Sequence, residues 1–184
     1  LSLQLMELGI PMVIALNMMD EVKASGNNID VRKLSEHLGI PVVPISAGKN
    51  QGISELTRVI SKMAEGKVSN PRQDFCTGPV HKAIHPIAHI IEDQAKDAGY
   101  PVRFAATKMV EGDGPTMKAI QITDKEQHII DHIVEEMEEE LGTDREAALA
   151  DMRYNYIESI CRDSVVKRQE THEQVRSERI DRLL

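Results

Sequence analysis

The chain has 184 residues, 41% apolar and 28% charged, a composition that suits one globular domain or two small ones and gives no sign of disorder. Its formal charge of −8 provides no net basic surface to release counterions from a phosphate backbone, which argues against nucleic acid as a partner. There is no apolar run of about 18 residues and no secretory leader pattern, so this stretch is expected to be soluble, and Cys76 and Cys161, outside any CxxC pattern, fit a reducing cytosol.

Leu1, Leu5 and Leu8 recur at helical spacing and Gly9 stands where a helix would stop. With no initiating Met and no strand before it, the chain reads as a fragment that begins near the end of a helix. The stretch PMVIALNMMD, Pro11 to Asp20, follows. Its apolar run Met12 to Leu16 predicts a buried parallel strand, and Asn17 to Asp20 form a polar cluster at its carboxyl end. A loop with Gly26 and two Asn leads to a helix from Ile29 to Leu38, closed by Gly39. A second strand, Pro41 to Ile45, ends in Ser46-Ala47. GKNQG then leads to a helix from Ile53 to Ala64, with Ser54 as its cap and Leu56, Ile60 and Met63 facing inward. Two parallel strands joined through a helix place Asn17, Asp20, Ser46 and Ala47 side by side on the sheet edge where open α/β sheets bind ligands.

Between Gly66 and Pro79 the sequence GKVSNPRQDFCTGP is polar and broken by Pro and Gly, which marks a domain boundary. Everything beyond reads as helix. Val80, Ile84, Ile87 and Ile91 make one stripe, and Val102 to Val110 make a second segment, cut by GDGP at Gly112 to Pro115. Thr123-x-x-Glu126 and Thr143-x-x-Glu146 have the capping-box pattern and predict helices over Asp124–Leu141 and from Asp144 to about Arg168. Gly142 closes the first of these. The charged tail from Glu173 to Leu184 reads as a helical connector.

The polar cluster has the chemistry to recognise guanine. Guanine presents N1–H and an N2 amino group together, and one carboxylate can accept from both in a charge-assisted, base-selective pair. Asp20 is the candidate acceptor. The Asn17 amide can serve both the base and a neighbouring loop, and the backbone N–H groups of Ser46 and Ala47 can meet the guanine O6. Asn-x-x-Asp also fits a plain turn or helix cap after a strand; the strand context and the Ser-Ala pair favour the pocket.

At these residues the chain resembles the ferrous iron transport protein B (FeoB) family. ALNMMDE at Ala15 to Glu21, the preceding LQLMELGIP, and PVVPISAGKNQGISEL at Pro41 to Leu56 are similar to the fourth and fifth motifs of that family's GTPase domain. MRYNYIESI at Met152 to Ile160 and SERIDRLL at Ser177 to Leu184 resemble its helical domain and the exit toward the membrane. The resemblance implies that Met18, where most GTPases have Lys, packs its thioether stem on the base. It also implies GTP or GDP as ligand, Mg²⁺ in the parent protein, and three partners: the N-terminal half of the GTPase domain, the membrane pore domain of the same protein, and, left open, a second copy in a homo-oligomer. The sequence contains no GxxxxGK[ST] and no Asp-x-x-Gly, so phosphate binding, the switches and hydrolysis are not expected of this chain alone, and no catalytic residue is assigned.

The histidines call for a separate reading. His81, His85 and His89 recur every four residues, and His128, His132, Glu135 and Glu139 share a helix face, spacings that can present ligands to a divalent ion. Helical projection puts both sets beside or opposite the apolar stripe, which favours exposed polar residues, and Pro86 disturbs the first set. No metal ligand is assigned.

The expected fold is therefore an α/β partial P-loop-type GTPase domain, parallel strands with flanking helices, followed by an all-α domain. The divisions are 1–67 for the base-recognition half, 68–79 for a linker, 80–170 for a helical regulatory domain resembling a GDP-dissociation inhibitor, and 171–184 for a connector to the membrane domain. The function expected is nucleotide-dependent regulation of Fe²⁺ uptake at the cytoplasmic face of the membrane. The alternative is a non-catalytic helical adaptor with a vestigial α/β domain.

Overall fold

The structure, a computed structural model, describes residues 1–66 and 75–166. The described residues form two compact units, 1–12 with 75–159 and 13–66 with 160–166. The chain starts on α1 (Ser2–Glu7), which belongs to the first unit. Gly9, at φ +66°, follows the end of this helix, as its sequence position predicts.

The second unit carries the strands. β1 (Ile14–Leu16) leads to α2 (Met19–Ala24), β2 (Asn28–Ile29) and α3 (Val31–Leu38), and β3 (Val42–Pro44) follows. β1 and β3 pair in parallel with Ile14 opposite Val42, Ala15 opposite Val43 and Leu16 opposite Pro44. Successive strand residues point to opposite faces, and Val42 and Val43 are both buried, as a parallel strand covered on both sides requires. The Asp30 carboxylate accepts from the Lys33 N–H at 3.0 Å and starts α3; Gly39, at φ +64°, ends it.

A 3₁₀ turn at Ala47–Lys49 precedes α4 (Ile53–Ala64), whose limits match those expected. Its cap does not. Gly52 is the N-cap residue with no side-chain bond, and Ser54 lies exposed inside the first turn. Ile60 is 48% exposed, whereas Ile53, Leu56 and Val59 are half-buried and Met63 is buried. The inner stripe therefore runs 53, 56, 59, 63, and Ile60 falls one residue off it, about 100° round the helix.

The helical unit comprises α5 (Gly78–Ile90), α6 (Glu92–Asp97), α7 (Val102–Glu111), α8 (Gly114–Ile120), α9 (Asp124–Leu141) and most of α10 (Arg145–Ser164). Helix α5 packs against α7 and α9. The expected stripe forms its inner face: Val80 is 3% exposed, and Ile84, Ile87 and Ile91 are wholly buried. Ala105, Ala106, Met109 and Val110 of α7 and Ile130, Val134 and Met137 of α9 are buried too, and each large aliphatic side chain there contributes about 1.5–3 kcal/mol. Pro86 sits within α5 without ending it; the carbonyl it cannot serve belongs to Lys82, on the exposed side.

The caps explain the breaks. Gly112, at φ +72°, closes α7, and the Asp113 carboxylate accepts from the Thr116 N–H at 3.0 Å to open α8. The Thr123–Glu126 capping box has both of its reciprocal bonds. At α10 the sequence expectation shifts by one residue: Asp144, not Thr143, caps the helix, accepting from the Ala147 N–H at 2.8 Å. That helix also ends at Ser164 rather than near Arg168, because the chain turns into β4 (Val165–Val166). β4 pairs antiparallel with β2, and the Asp30 N–H donates to the Ser164 carbonyl at 2.7 Å.

These pairings cut across contiguous domain limits. Residues 160–166 group with the α/β unit through β4, and residues 1–12 group with the helices, where the Thr107 hydroxyl donates to Glu7 at 3.2 Å. Phe75 and Cys76, expected in the linker, are 4% and 5% exposed, with the Phe75 ring 5.4 Å from that of Tyr156. Linker residues 68–74 and the expectations beyond residue 166, including the connector at 171–184, lie outside the described residues. Among the described residues, no helix is long and apolar enough to cross a membrane, and Cys76 and Cys161 form no disulfide.

Candidate functional site

The parallel register of β1 and β3 brings the residues after Leu16 beside those after Pro44. The ladder continues past both strands: the Ile45 N–H donates to the Leu16 carbonyl at 2.9 Å, and the Met19 N–H to the Ile45 carbonyl at 3.2 Å. Asn17, Met18 and Asp20 thereby lie next to Ser46 and Ala47.

Asn17 ties the two loops together. Its Oδ1 accepts from the Met18 N–H at 2.8 Å and from the Ala47 N–H at 3.1 Å. Both neighbours are donors, so the atom facing them is the amide oxygen, and the NH₂ group is the part left for a ligand. Met18, at φ +63°, takes the left-handed conformation that turns the chain from β1 into α2, and its side chain is exposed while that of Met19 is buried.

Asp20 stands in the first turn of α2, where the helix dipole favours a carboxylate. Its N–H donates to the Ser46 Oγ at 3.0 Å. The Lys49 ammonium lies 2.8 Å from Asp20 Oδ2. Hydrogen bonds from Lys49 and the Ser46 hydroxyl, with a smaller contribution from its own N–H, lower the Asp20 carboxyl to about 2. Asp20 is a fixed anion at any physiological pH. Ser46, only 4% exposed, acts on it as a positioning residue.

The roles expected of the Ser46 and Ala47 N–H groups need correction. The Ala47 N–H is taken by Asn17, and the Ser46 N–H donates to the Gln51 carbonyl at 3.0 Å. Neither is left for a base oxygen. The next N–H, that of Gly48, takes no partner among the described residues. The loop holding it is closed by the Ser46–Gln51 bridge and by Gly52, at φ +77°, where a Cβ would come within 2.3 Å of the Pro44 carbonyl oxygen. Sequence reasoning missed Lys49. The signal available was GKN directly after Ser46-Ala47, which puts a cation in the loop expected beside Asp20.

The histidines of the two spaced sets belong to the helical unit. The His81, His85 and His89 rings follow one another at 5.8 and 4.7 Å on α5, and His128, His132, Glu135 and Glu139 are exposed on α9. Among the described residues no group of three or more His, Cys, Asp or Glu side chains is arranged to hold a metal ion.

Two family models divide the chain between them. That of ferrous iron transport protein B matches residues 1–60, and that of the FeoB cytosolic helical domain matches residues 77–166. The chain belongs to the ferrous iron transport protein B family. Among FeoB relatives, the Fe(2+) transport protein A/Fe(2+) transporter FeoB fusion protein of Porphyromonas gingivalis is 33% identical over 165 residues, 85% of this chain and 20% of that protein. The Fe(2+) transporter FeoB of Escherichia coli K12 is 31% identical over 166 residues, 88% of this chain and 20% of that one. The chain thus spans about a fifth of these FeoB proteins. A GDP-bound mutant of S. thermophilus NFeoB superposes with a TM-score of 0.79 at 31% identity, covering 90% of this chain and 63% of that one. NFeoB from S. thermophilus bound to GDP·AlF4⁻ and K⁺ gives 0.78, also at 31% identity, over 88% and 62%. The fold is accordingly that of part of a FeoB GTPase domain together with the FeoB cytosolic helical domain.

Proposed function

We propose that the α/β unit recognises the base of a guanine nucleotide, and that its nucleotide state regulates ferrous iron uptake by the membrane part of a FeoB transporter. The observation that carries this reading is the ionised Asp20 at the start of α2, set by Ser46 beside an Asn17 whose oxygen is already committed to Ala47. A carboxylate accepts the N1–H and N2 amino group of guanine, the Asn17 NH₂ serves the base edge, the Gly48 N–H is the loop donor available to O6, and the exposed Met18 stem flanks the ring. The GDP-bound S. thermophilus NFeoB structures support the ligand class.

Phosphate binding and hydrolysis fall outside what these residues supply. The donor set that holds Mg²⁺ in GTPases, a phosphate-loop Ser/Thr and a second-motif Asp, has no counterpart among the motifs of this sequence, so the residues present do not fit the ion. Regulation requires that nucleotide contact two states differently. Helix α2, six residues long, connects Asp20 to β2, and β2 pairs with β4 just after α10, which gives the base pocket a short route to the segment that continues the chain.

Binding by base contacts alone is expected to be on the order of millimolar. NMR titration of the 184-residue chain with GMP and XMP tests the reading. Xanthine carries an oxygen where guanine has the 2-amino group, so Asp20→Asn should weaken GMP by at least about tenfold and reverse the preference toward XMP. A chain whose Asn17, Asp20 and Ala47 amides ignore GMP is instead the non-catalytic interaction module.

A further inference from the structure

The Asp20 carboxylate is not empty. Its Oδ2 already holds the Lys49 ammonium at 2.8 Å. Guanine presents its N1–H and 2-amino group side by side, one to each carboxylate oxygen, so the ammonium and the 2-amino group compete for the same oxygen. Lys49 can leave: its side chain is 62% exposed and it stands on an exposed 3₁₀ turn.

We propose that Lys49 is a displaceable occupant of the base pocket, its ammonium standing where the 2-amino group of guanine would bind, so that guanine must evict it and a base lacking that amino group need not. The inference rests on the guanine reading above and assigns a specificity role to a residue outside the Asn17–Asp20 and Ser46–Ala47 pairs. Hypoxanthine has the N1–H and O6 of guanine but no 2-amino group. It can bond one carboxylate oxygen while Lys49 keeps the other. Lys49 therefore narrows the discrimination between guanine and hypoxanthine, and it makes guanine entry cost an ion pair that salt weakens.

The test compares GMP with IMP, which carry the same phosphate, so that the ratio of their affinities isolates the base. Both are titrated by NMR into the 184-residue chain, its Lys49→Met variant, which keeps the apolar stem without the charge, and Asp20→Asn. Lys49→Met should raise the GMP-to-IMP affinity ratio about threefold, the amount by which an exposed ion pair typically shifts an equilibrium, and high salt should raise the wild-type ratio toward the same value. If GMP binds and Asp20→Asn weakens it while Lys49→Met leaves the ratio unchanged or lowers it, the role of Lys49 is overturned and the guanine reading stands. If GMP perturbs neither wild type nor Lys49→Met, both are overturned.

Discussion

Asn17 Oδ1 and the Ala47 N–H, thirty positions apart in sequence, meet at 3.1 Å and join the two loops of the candidate base site. Asn17→Ala leaves the Met18 and Ala47 N–H groups to solvent, because both bonds lie at the exposed edge. The expected loss is about 1 kcal/mol in urea unfolding, with faster hydrogen exchange at the Ala47 amide. Unchanged exchange at Ala47 would show that the bond does not hold the loop.

The α5 core and the outer side of α4 should respond very unequally to the same truncation. Ile84 is wholly buried between helices, so Ile84→Ala removes its packing and leaves a cavity, at a cost of about 2–5 kcal/mol. Ile60, at 48% exposure, should tolerate Ile60→Ala within about 0.5 kcal/mol. Paired denaturant melts measure both, and a large loss at Ile60 would mean that its face of α4 is covered.

Local pattern carried most of the helices into view. The stripe Val80, Ile84, Ile87, Ile91 and the Thr123 capping box are fixed by residues within one or two turns, so sequence spacing suffices to read them. The two parallel strands were legible for a related reason, since each is a short apolar run between a Pro and a polar stretch, although β1 starts at Ile14 rather than Met12 and β3 ends at Pro44 rather than Ile45. What stayed hidden depends on distant partners. Nothing near Val165 and Val166 indicates that they pair with Asn28 and Ile29, and nothing around Glu7 indicates that it is buried against Thr107 and Arg153. The N–H groups of Ser46 and Ala47 were misassigned for the same reason, because their acceptors come from Gln51 and from across the sheet at Asn17.

Pairing at β4 makes residues 160–166 part of the α/β unit's stability. Ile160 is 4% exposed and Ser164 is wholly buried there. A chain ending at Ser159 should lose the Asp30-to-Ser164 bond and the β2–β4 pair, so the Asp30 amide should exchange much faster than in the full chain while the Ile84 and Ile87 amides of the helical unit keep their protection. Equal protection of Asp30 in both chains would show that the strand pair contributes nothing to that unit.

Glu7 and Glu111 share Arg153 unequally, and the inequality predicts a pH dependence. The Arg153 guanidinium lies 2.8 Å from Glu111 and 3.5 Å from Glu7. Burial pushes the Glu7 carboxyl above the usual range, against the charge of Arg153 and the hydrogen bond from Thr107, with the charge of Glu111 adding to the rise. Burial acts on Glu111 as well, but hydrogen bonds from Lys108 and Arg153 outweigh it and hold that carboxyl low. For a group whose pKa is higher folded than unfolded, the stabilisation is complete below the unfolded value and is lost as pH rises through the folded one. Protonated Glu7 therefore favours the helical unit in mild acid, and its ionisation disfavours that unit upward from the ordinary carboxylate range. Glu7→Gln fixes the neutral form and keeps an acceptor for Thr107. Its stability relative to wild type should rise as pH increases from about 4 to 8, read as a shift in urea midpoint at each pH. A difference between the two proteins that stays constant with pH, or that falls, would place the Glu7 carboxyl at or below its ordinary range and overturn the assignment.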